Sequence, residues 1–444
     1  MPSGTWTSQN KVLPGVYIRF ATGQANGLTV GERGIVTICE PMSWGPVGQV
    51  TPVTLTTDVT PITGYDITDP HNQFLQEMFK GTDRTSAPTT VLLYRPSASS
   101  SEQASVTTGQ LTATAVYTGV RGNDISIIIT ELTDPESTFT VYTVVDGTVM
   151  DQQTAANVED LESNDWVTFS GTGALAATTG AALTGGADGT VQSAAYSAYL
   201  TAIEPYKFDI MVYDGTDSTV QTAFLSFIER MNDNNGQYCQ LVASDLSNPN
   251  SRYVINVNSP VNLSDGTQLT AQQATWWAGG AQAGAMYNQS LTYAQYPGAV
   301  STVMWTADEY ANQIEAGNFV LFAEDGVVKV MQDINTLTTY TQDIGKIYRY
   351  NRTMRLCNTI ANDIFKQFSA SFIGQVNNNE QGRARFQAAI VGYLQQIQDN
   401  QGIQNFTSED VEVLPGTSID AIVVNVAIQA VGSVEKIYMT VEVS

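Results

Sequence analysis

The sequence predicts a multidomain protein that combines an α/β domain with an all-β domain. Three observations indicate this fold class. A chain of 444 residues is too long for one ordinary hydrophobic core, so two to four domains are expected. Apolar strands and amphipathic helices alternate through the middle of the chain. The stretch before them contains short strands rich in Thr and Val, which is typical of an inserted β domain.

The first 20 residues are predicted to form an extended arm. A turn at Pro14 and Gly15 precedes an alternating apolar pattern. The residues of this predicted arm strand are Val16, Tyr17, Ile18 and Phe20. A single strand of this length has no core of its own, so it must add to a sheet of its own chain or of another.

The α/β pattern follows the arm and resumes after residue 187. Residues 34–39 and 91–94 are predicted strands, and between them Asp69 caps a helix that has Pro70 at its first position. The later predicted helices are 196–204, 220–231 and 271–287, and the later strands are 208–213, 238–243, 253–257 and 319–322. This alternation predicts a mostly parallel sheet covered by helices.

The β-rich stretch lies between about residues 97 and 187. Its clearest predicted strands are 125–129 and 139–145, and Asp146-Gly147 supplies a hairpin turn after the second of them. We therefore expect an all-β domain inserted into the α/β domain.

The last third is predicted to contain two helices and then two strands. The first helix runs from about 342 to 372, and the second has apolar residues at a spacing of 3.6, namely Phe386, Ile390, Tyr393, Leu394 and Ile397. The first strand contains Ile422, Val424, Val426 and Ile428, and the second contains Ile437, Tyr438, Met439, Val441 and Val443. The second strand presents an unpaired edge unless another chain segment covers it.

The charge balance argues against several partners. The chain has 43 acidic and 19 basic residues and a net charge of −24, which repels nucleic acid and anionic membranes. Cys39, Cys239 and Cys357 are far apart and are expected to be buried thiols of a protein assembled in a reducing cytosol. We find neither a secretory signal nor a membrane-spanning pattern in the sequence, so membrane insertion is not expected.

The residue patterns of enzymes and metal sites are missing from the sequence. His71 is the only histidine, and its place beside Asp69 at a helix start favours a surface or capping role over catalysis. The sequence contains neither a phosphate-binding loop nor an EF-hand loop. We therefore expect no catalytic residue, no bound cofactor and no metal.

One segment departs from the acidic character of the chain. Residues 346–385 hold seven of the 19 basic residues and only two acidic ones. The seven are Lys346, Arg349, Arg352, Arg355, Lys366, Arg383 and Arg385. On one continuous helix the first four would form a slanting stripe, because successive members are three residues apart. The stripe is either a solvated helix face or a positive surface for an acidic partner.

Several short motifs resemble those of contractile-tail sheath proteins from phages, defective prophages and tail-like bacteriocins of Gram-positive hosts. The resemblance covers nearly the whole chain, and the order and spacing of the motifs make it specific. The motifs are LPGVY at 13–17, RGIV at 33–36, RGNDI at 121–125, LTGGADG at 183–189, SLTY at 290–293, PGA at 297–299, DINTLT at 333–338 and EKIYMTV at 435–441.

The resemblance implies a domain arrangement. The expected parts are an N-terminal arm (1–20), a subtilisin-like α/β domain without catalytic residues (21–96 and 188–335), an inserted β-sandwich-like domain (97–187), an α+β assembly domain (336–434) and a C-terminal arm strand (435–444). Both arms are expected to pair with sheets of adjacent subunits. The basic segment is then expected to face an inner tube.

The function implied by the resemblance is mechanical. A six-fold helical sleeve of identical subunits would surround a tail tube and contract without nucleotide hydrolysis, with baseplate and tail terminator proteins as further partners. Assembly in the bacterial cytoplasm is expected, followed by a place in a virion tail or a released tail-like particle. Two alternatives stay open at this point: an α/β hydrolase of subtilisin-like fold and a static lattice protein of a capsid or surface layer.

Overall fold

The computed structural model describes residues 3–4, 16–17, 31, 33–133, 137–247 and 249–440. The chain divides into two compact units. The larger contains the described residues of 31–362 and the segment that starts at Ala430, and the smaller contains residues 363–429 and the described residues 3–4 and 16–17.

A seven-stranded sheet forms the centre of the larger unit. Six strands are parallel, and the edge strand Val50–Val53 is antiparallel. The strand order is Asn318–Phe319, Val254–Val257, Gln240–Ser244, Ile210–Val212, Ile35–Cys39, Thr90–Tyr94 and Val50–Val53. The inner strands are almost fully buried, as expected for a parallel sheet covered on both faces. The predicted parallel sheet is confirmed.

Helices cover both faces of this sheet. The helices Gln73–Met78 and Ala274–Gly284 contribute to one hydrophobic cluster, and Ser193–Ile203 and Ser218–Asp233 contribute to a second. The first two helices approach closely, because a Cβ atom added at Gly280 would lie 2.0 Å from the Met78 carbonyl oxygen. The unit also contains a three-stranded sheet of Gln268–Leu269, Val261–Leu263 and Ala299–Thr302. A hairpin is formed by Leu321–Glu324 and Val327–Val330. The helix Ala307–Glu315 lies between this sheet and the hairpin in sequence.

The β-rich insertion has a core of its own. Its four-stranded sheet contains Thr148–Ala155, Phe139–Val145, Ile125–Glu131 and Thr178–Ala182, and its three-stranded sheet contains Val167–Ser170, Leu111–Ala115 and Ser105–Thr108. Side chains from both sheets share one hydrophobic cluster. The predicted hairpin turn is confirmed, since Asp146 and Gly147 have φ angles of 51° and 78°. The two chain segments that enter and leave this insertion lie side by side, because Ala98–Ser99 pairs with Thr190–Val191.

The smaller unit combines a helix with a β-hairpin. The helix Glu380–Asp399 is capped by Asn379 and buries the five apolar residues that the spacing predicts. Gln387 of this helix donates a hydrogen bond of 2.6 Å to the carbonyl of Val411, which starts the hairpin strand Val411–Pro415. The second hairpin strand is Ile422–Val426.

Two predictions about secondary structure differ from the structure. The helix expected from about 342 is instead a 3₁₀ turn, Lys346–Arg349, followed by the α-helix Asn351–Ser371. The strand expected from Ile437 is absent over the described residues 431–440, and the partner of Ile422–Val426 is Val411–Pro415, which the sequence did not predict. Near the N-terminus Val16–Tyr17 pairs in parallel with Ser3–Gly4, while Ile18 and Phe20 lie outside the described residues.

Candidate assembly site

The hairpin of the smaller unit has two open edges. Val411–Pro415 and Ile422–Val426 pair only with each other among the residues that the structure describes. Each strand therefore presents one row of backbone N–H and C=O groups without a strand neighbour. Leu414 and Val423, directly opposite each other, are both exposed. A two-stranded sheet with exposed apolar residues is marginal alone and can accept a further strand.

The C-terminal segment of the larger unit ends in exposed apolar side chains. Ile437, Tyr438 and Met439 are 79%, 90% and 78% exposed. Residues 431–440 contain no helix or strand. Val441 and Val443, which complete the predicted arm strand, lie outside the described residues. The segment thus has the apolar character of a strand and no sheet to belong to within its own described chain.

The segment is attached to the larger unit just before these residues. Thr292 donates a hydrogen bond of 2.9 Å from its hydroxyl to Oε1 of Glu435, and Gln332 donates one of 2.6 Å to Oε2. Arg352 donates a hydrogen bond of 3.1 Å to the hydroxyl of Ser433. We call the residues 433–435 the arm root. Glu435 is the first residue of the EKIYMTV motif, and no pattern in the sequence indicates this contact.

A buried ion pair lies next to the arm root. The Asp333 carboxylate is 2.7 Å from the Arg355 guanidinium. It also accepts hydrogen bonds from the Leu291 N–H, from Gln282 and from Asn351. Burial acts to raise the pKa of Asp333, but the Arg355 charge and these hydrogen bonds outweigh it and hold that pKa below its usual range. Asp333 is therefore a buried carboxylate with a full set of partners.

The basic segment does not form one continuous strip. Arg355 is 0% exposed and paired with Asp333, so its prediction as a partner-facing residue is wrong. Arg349 is half-buried and donates to the carbonyl of Ile314 and the hydroxyl of Tyr340, and Arg352 is also half-buried. Lys346, Lys366 and Arg385 are exposed, and Arg383 donates to Asn378. The seven residues are divided between the two units.

His71 has the capping environment that the sequence predicts. Its Nδ1 atom lies 2.7 Å from Oδ1 of Asp69, which also accepts the His71 backbone N–H, and its ring stacks on Tyr65. Cys39 and Cys239 are buried free thiols, and Cys357 is partly exposed. In the described part of the chain, no cluster of three or more His, Cys, Asp or Glu side chains is arranged to hold a metal ion. None of the described helices combines the length and apolarity needed to cross a membrane.

Known proteins are similar to this chain in sequence and in fold over most of its length. Four family models match successive segments: the tail sheath protein Gp18 domain III N-terminal region at 33–95, the phage tail sheath protein beta-sandwich domain at 98–188, the phage tail sheath protein central domain at 189–336 and the phage tail sheath C-terminal domain at 343–444. The crystal structure of a sheath tail protein from Desulfitobacterium hafniense is 39% identical, with a TM-score of 0.86 over 96% of this chain and 99% of that one. The chain belongs to the phage tail sheath family.

Two further relatives agree with this membership. The sheath tail protein of Listeria innocua is 29% identical and has a TM-score of 0.78 over 94% of this chain and 96% of its own. The phage-like element PBSX protein XkdK of Bacillus subtilis is 31% identical over the full length of both chains. A tail sheath protein is a structural component of a phage tail. The family therefore implies a non-enzymatic role, against the hydrolase alternative, and a place in a tail, against the capsid and surface-layer alternative.

Proposed function

We propose that this sheath subunit polymerises with copies of itself into a six-fold helical sleeve around an inner tail tube. The sleeve contracts without nucleotide hydrolysis and drives the tube through a cell envelope. One observation carries the proposal: within the described part of the chain, a hairpin has two open edges and an exposed apolar arm, residues 436–440, has no strand partner. Both are explained if the arm of one subunit completes the hairpin of the next.

Strand addition suits a sleeve that must change shape. An added strand is held mainly by main-chain hydrogen bonds, each worth about 0.5–1.5 kcal/mol net, so an arm of a few residues contributes several kcal/mol. Because the pairing involves the arm and not the two bodies, we expect that neighbouring subunits can rotate while the pairing persists. The predicted N-terminal arm strand, which starts at Val16 and Tyr17, is proposed to add to the second hairpin edge.

The proposed domain roles follow the predicted arrangement. The α/β domain of 21–96 and 188–335 is proposed to be subtilisin-like in topology, and its buried parallel sheet supports a rigid body. The insertion of 97–187 is proposed to be a β-sandwich, supported by its shared core. Residues 336–434 are proposed to be the assembly domain, because they contain the open hairpin.

Further partners are proposed from the same mechanism. The exposed basic residues Lys346, Lys366 and Arg385 face an acidic inner tube, and baseplate and tail terminator proteins hold the two ends of the sleeve. Subunits assemble in the bacterial cytoplasm and act in a virion tail or a released tail-like particle. The energy for contraction is stored in the extended lattice at assembly, so no nucleotide is needed.

Removing the arm tests the proposal. A variant lacking residues 436–444 is expected to fold as the full chain does, by circular dichroism, and to form no helical tubes by electron microscopy. Deleting residues 1–20 is expected to have the same effect. Normal tubes from either truncated chain would refute the exchange of that arm.

Proline substitutions separate backbone pairing from loss of side chains. Backbone N–H groups along a strand alternate in direction, so only one of Ile437→Pro and Tyr438→Pro removes a hydrogen bond to the neighbouring subunit. One of the two variants is therefore expected to assemble much less well than the other. Ile437→Ala and Tyr438→Ala are the matched controls, because they keep both N–H groups.

A further inference from the structure

We infer that Glu435 is the anchor of the C-terminal arm: its carboxylate holds the arm root on the subunit that donates the arm, so the exchanged segment begins at Lys436. This inference rests on the proposed arm exchange and adds the residue that positions the arm. Residues 432–434 and 436–440 are exposed, so Glu435 is the last half-buried residue of the described segment and Lys436 is the first exposed residue after it. The boundary between attached and free chain therefore lies between these two residues.

The contact has the geometry of a built site. The Thr292 hydroxyl accepts hydrogen bonds from the Asp333 N–H at 3.0 Å and from the Ser290 hydroxyl at 3.2 Å. Its one proton is thereby directed to Oε1 of Glu435, and Gln332 supplies a second donor to Oε2. A carboxylate that accepts a hydrogen bond on each oxygen is held more firmly than one that accepts a single hydrogen bond. Each bond is also stronger than a bond between neutral groups, because the acceptor is charged.

The two residues that hold Glu435 are adjacent in sequence to residues of the buried ion pair and its hydrogen-bond partners. Thr292 follows Leu291, whose N–H donates 3.0 Å to Asp333, and Gln332 directly precedes Asp333. Asp333 is fixed by Arg355, one turn into the helix Asn351–Ser371. Arg352 of the same helix holds Ser433 of the arm root. The arm root thus contacts the first turn of the long helix, which is itself fixed to the buried core through Arg355.

Tryptic cleavage of the monomer tests the anchor. Trypsin cuts after Lys436 and releases residues 437–444, and a protease must draw the flanking residues, Glu435 included, away from the body. The double variant Thr292→Val with Gln332→Leu removes both donors without changing the cleaved sequence. Cleavage after Lys436 is expected to become roughly tenfold faster, because cleavage tracks the population of the detached root.

The controls separate anchoring from a general loss of structure. In the double variant, cleavage after Lys346 is expected to stay unchanged. The single variant Thr292→Ser keeps the hydroxyl donor, so its cleavage after Lys436 is expected to have the wild-type rate. Thr148→Val changes an exposed strand position and is expected to have no effect on cleavage after Lys436. Cleavage of the double variant within about twofold of wild type, with Lys346 unaffected, would overturn the anchor.

Assembly distinguishes the anchor from the arm exchange on which it rests. With both correct, the double variant forms tubes only at a higher protein concentration than wild type, because the loosened root must be ordered on pairing. Faster cleavage at Lys436 together with normal tubes from the chain truncated at 435 would uphold the anchor and refute the exchange. Unchanged cleavage would refute the anchor whatever the truncated chain does.

Discussion

The guanidinium of Arg355 and the carboxylate of Asp333 form a buried ion pair, with an Nη2 to Oδ2 distance of 2.7 Å and side chains that are 0% and 1% exposed. The pair joins the first turns of the long helix to the loop that also holds the arm root. Its buried polar atoms are largely satisfied by neighbouring amides and backbone groups, among them Gln282, Asn351 and the carbonyl of Gln289. The buried ion pair thus explains the presence of Asp333 at the start of the DINTLT motif at 333–338.

Breaking this pair is expected to destabilise the larger unit strongly. Asp333→Asn keeps the shape and leaves the Arg355 charge buried without compensation, which costs about 3–5 kcal/mol. The double variant Asp333→Leu with Arg355→Met is expected to be clearly more stable than Asp333→Asn, since no buried charge remains. Urea unfolding followed by fluorescence measures both. The control is Glu324→Gln, which breaks an exposed pair with Lys329 and should cost less than about 1 kcal/mol. Equal losses for Asp333→Asn and Glu324→Gln would contradict the account.

A second prediction concerns pH. Glu40 and Asp214 follow neighbouring parallel strands at opposite register positions, and Trp276 donates 2.8 Å to Asp214. Burial raises the pKa of Glu40 well above its ordinary value, and the negative charge of Asp214 raises it further. Burial also raises the pKa of Asp214. A raised pKa in the folded state means that the unfolded chain releases its proton first as pH rises.

The folded state therefore loses stability as pH rises above 4.5, the ordinary value for Glu40, towards its raised folded value. Glu40→Gln removes this titration, so the variant is expected to melt near wild type at pH 4 and above wild type at pH 8. Melting temperatures across this range provide the measurement, with Glu131→Gln on the exposed end of a strand as control. A difference between Glu40→Gln and wild type that does not grow with pH would show that the two carboxyl groups are not coupled to folding.

Two glycines on helices are expected to respond in opposite directions to alanine. Gly280 faces the Met78 backbone so closely that a methyl group forces the two helices apart, and Gly280→Ala should lose about 1–3 kcal/mol or more. Gly392 on the helix Glu380–Asp399 has open space at the same position, so Gly392→Ala should gain about 0.5–1 kcal/mol from helix propensity. Denaturant midpoints compare the two variants with wild type. Loss of stability in both variants would indicate that the close approach to the Met78 backbone is not what makes Gly280→Ala unstable.

The exposed basic residues are expected to guide assembly on the tube. Lys346→Glu, Lys366→Glu and Arg385→Glu together should weaken co-sedimentation with purified tail tubes at low salt, with a smaller effect at high salt, because exposed ion pairs are screened. Lys207→Glu, an exposed lysine outside the segment, serves as the matched control. Unchanged co-sedimentation at both salt concentrations would refute the proposed tube-facing role.

Local patterns predicted much of the fold. The helix Glu380–Asp399 and its five buried residues follow from a spacing of 3.6, and the turn at Asp146 follows from the need for two positive φ angles. These features depend on neighbours in sequence, so the sequence alone contains the signal.

Features that depend on distant residues were missed. The stripe of four basic residues required one helix from about 342, but the chain bends at Tyr350, where Asn335 bonds to the Arg349 carbonyl and Asn351 bonds to the Asp333 carbonyl. Arg355 then points to a partner 22 positions earlier. The strand Val411–Pro415 is short and carries Glu412, so its alternation was not distinctive. Contacts of this kind are set by tertiary packing and have no periodic signature.

The measurement that tests the central claim most directly is a cryo-EM reconstruction of tubes assembled from the purified full-length chain. Density should show the segment from Lys436 onward lying as an added strand along a hairpin edge, Val411–Pro415 or Ile422–Val426, of a neighbouring subunit. Density that returns this segment to its own subunit, with both hairpin edges unpaired in the tube, would contradict the account.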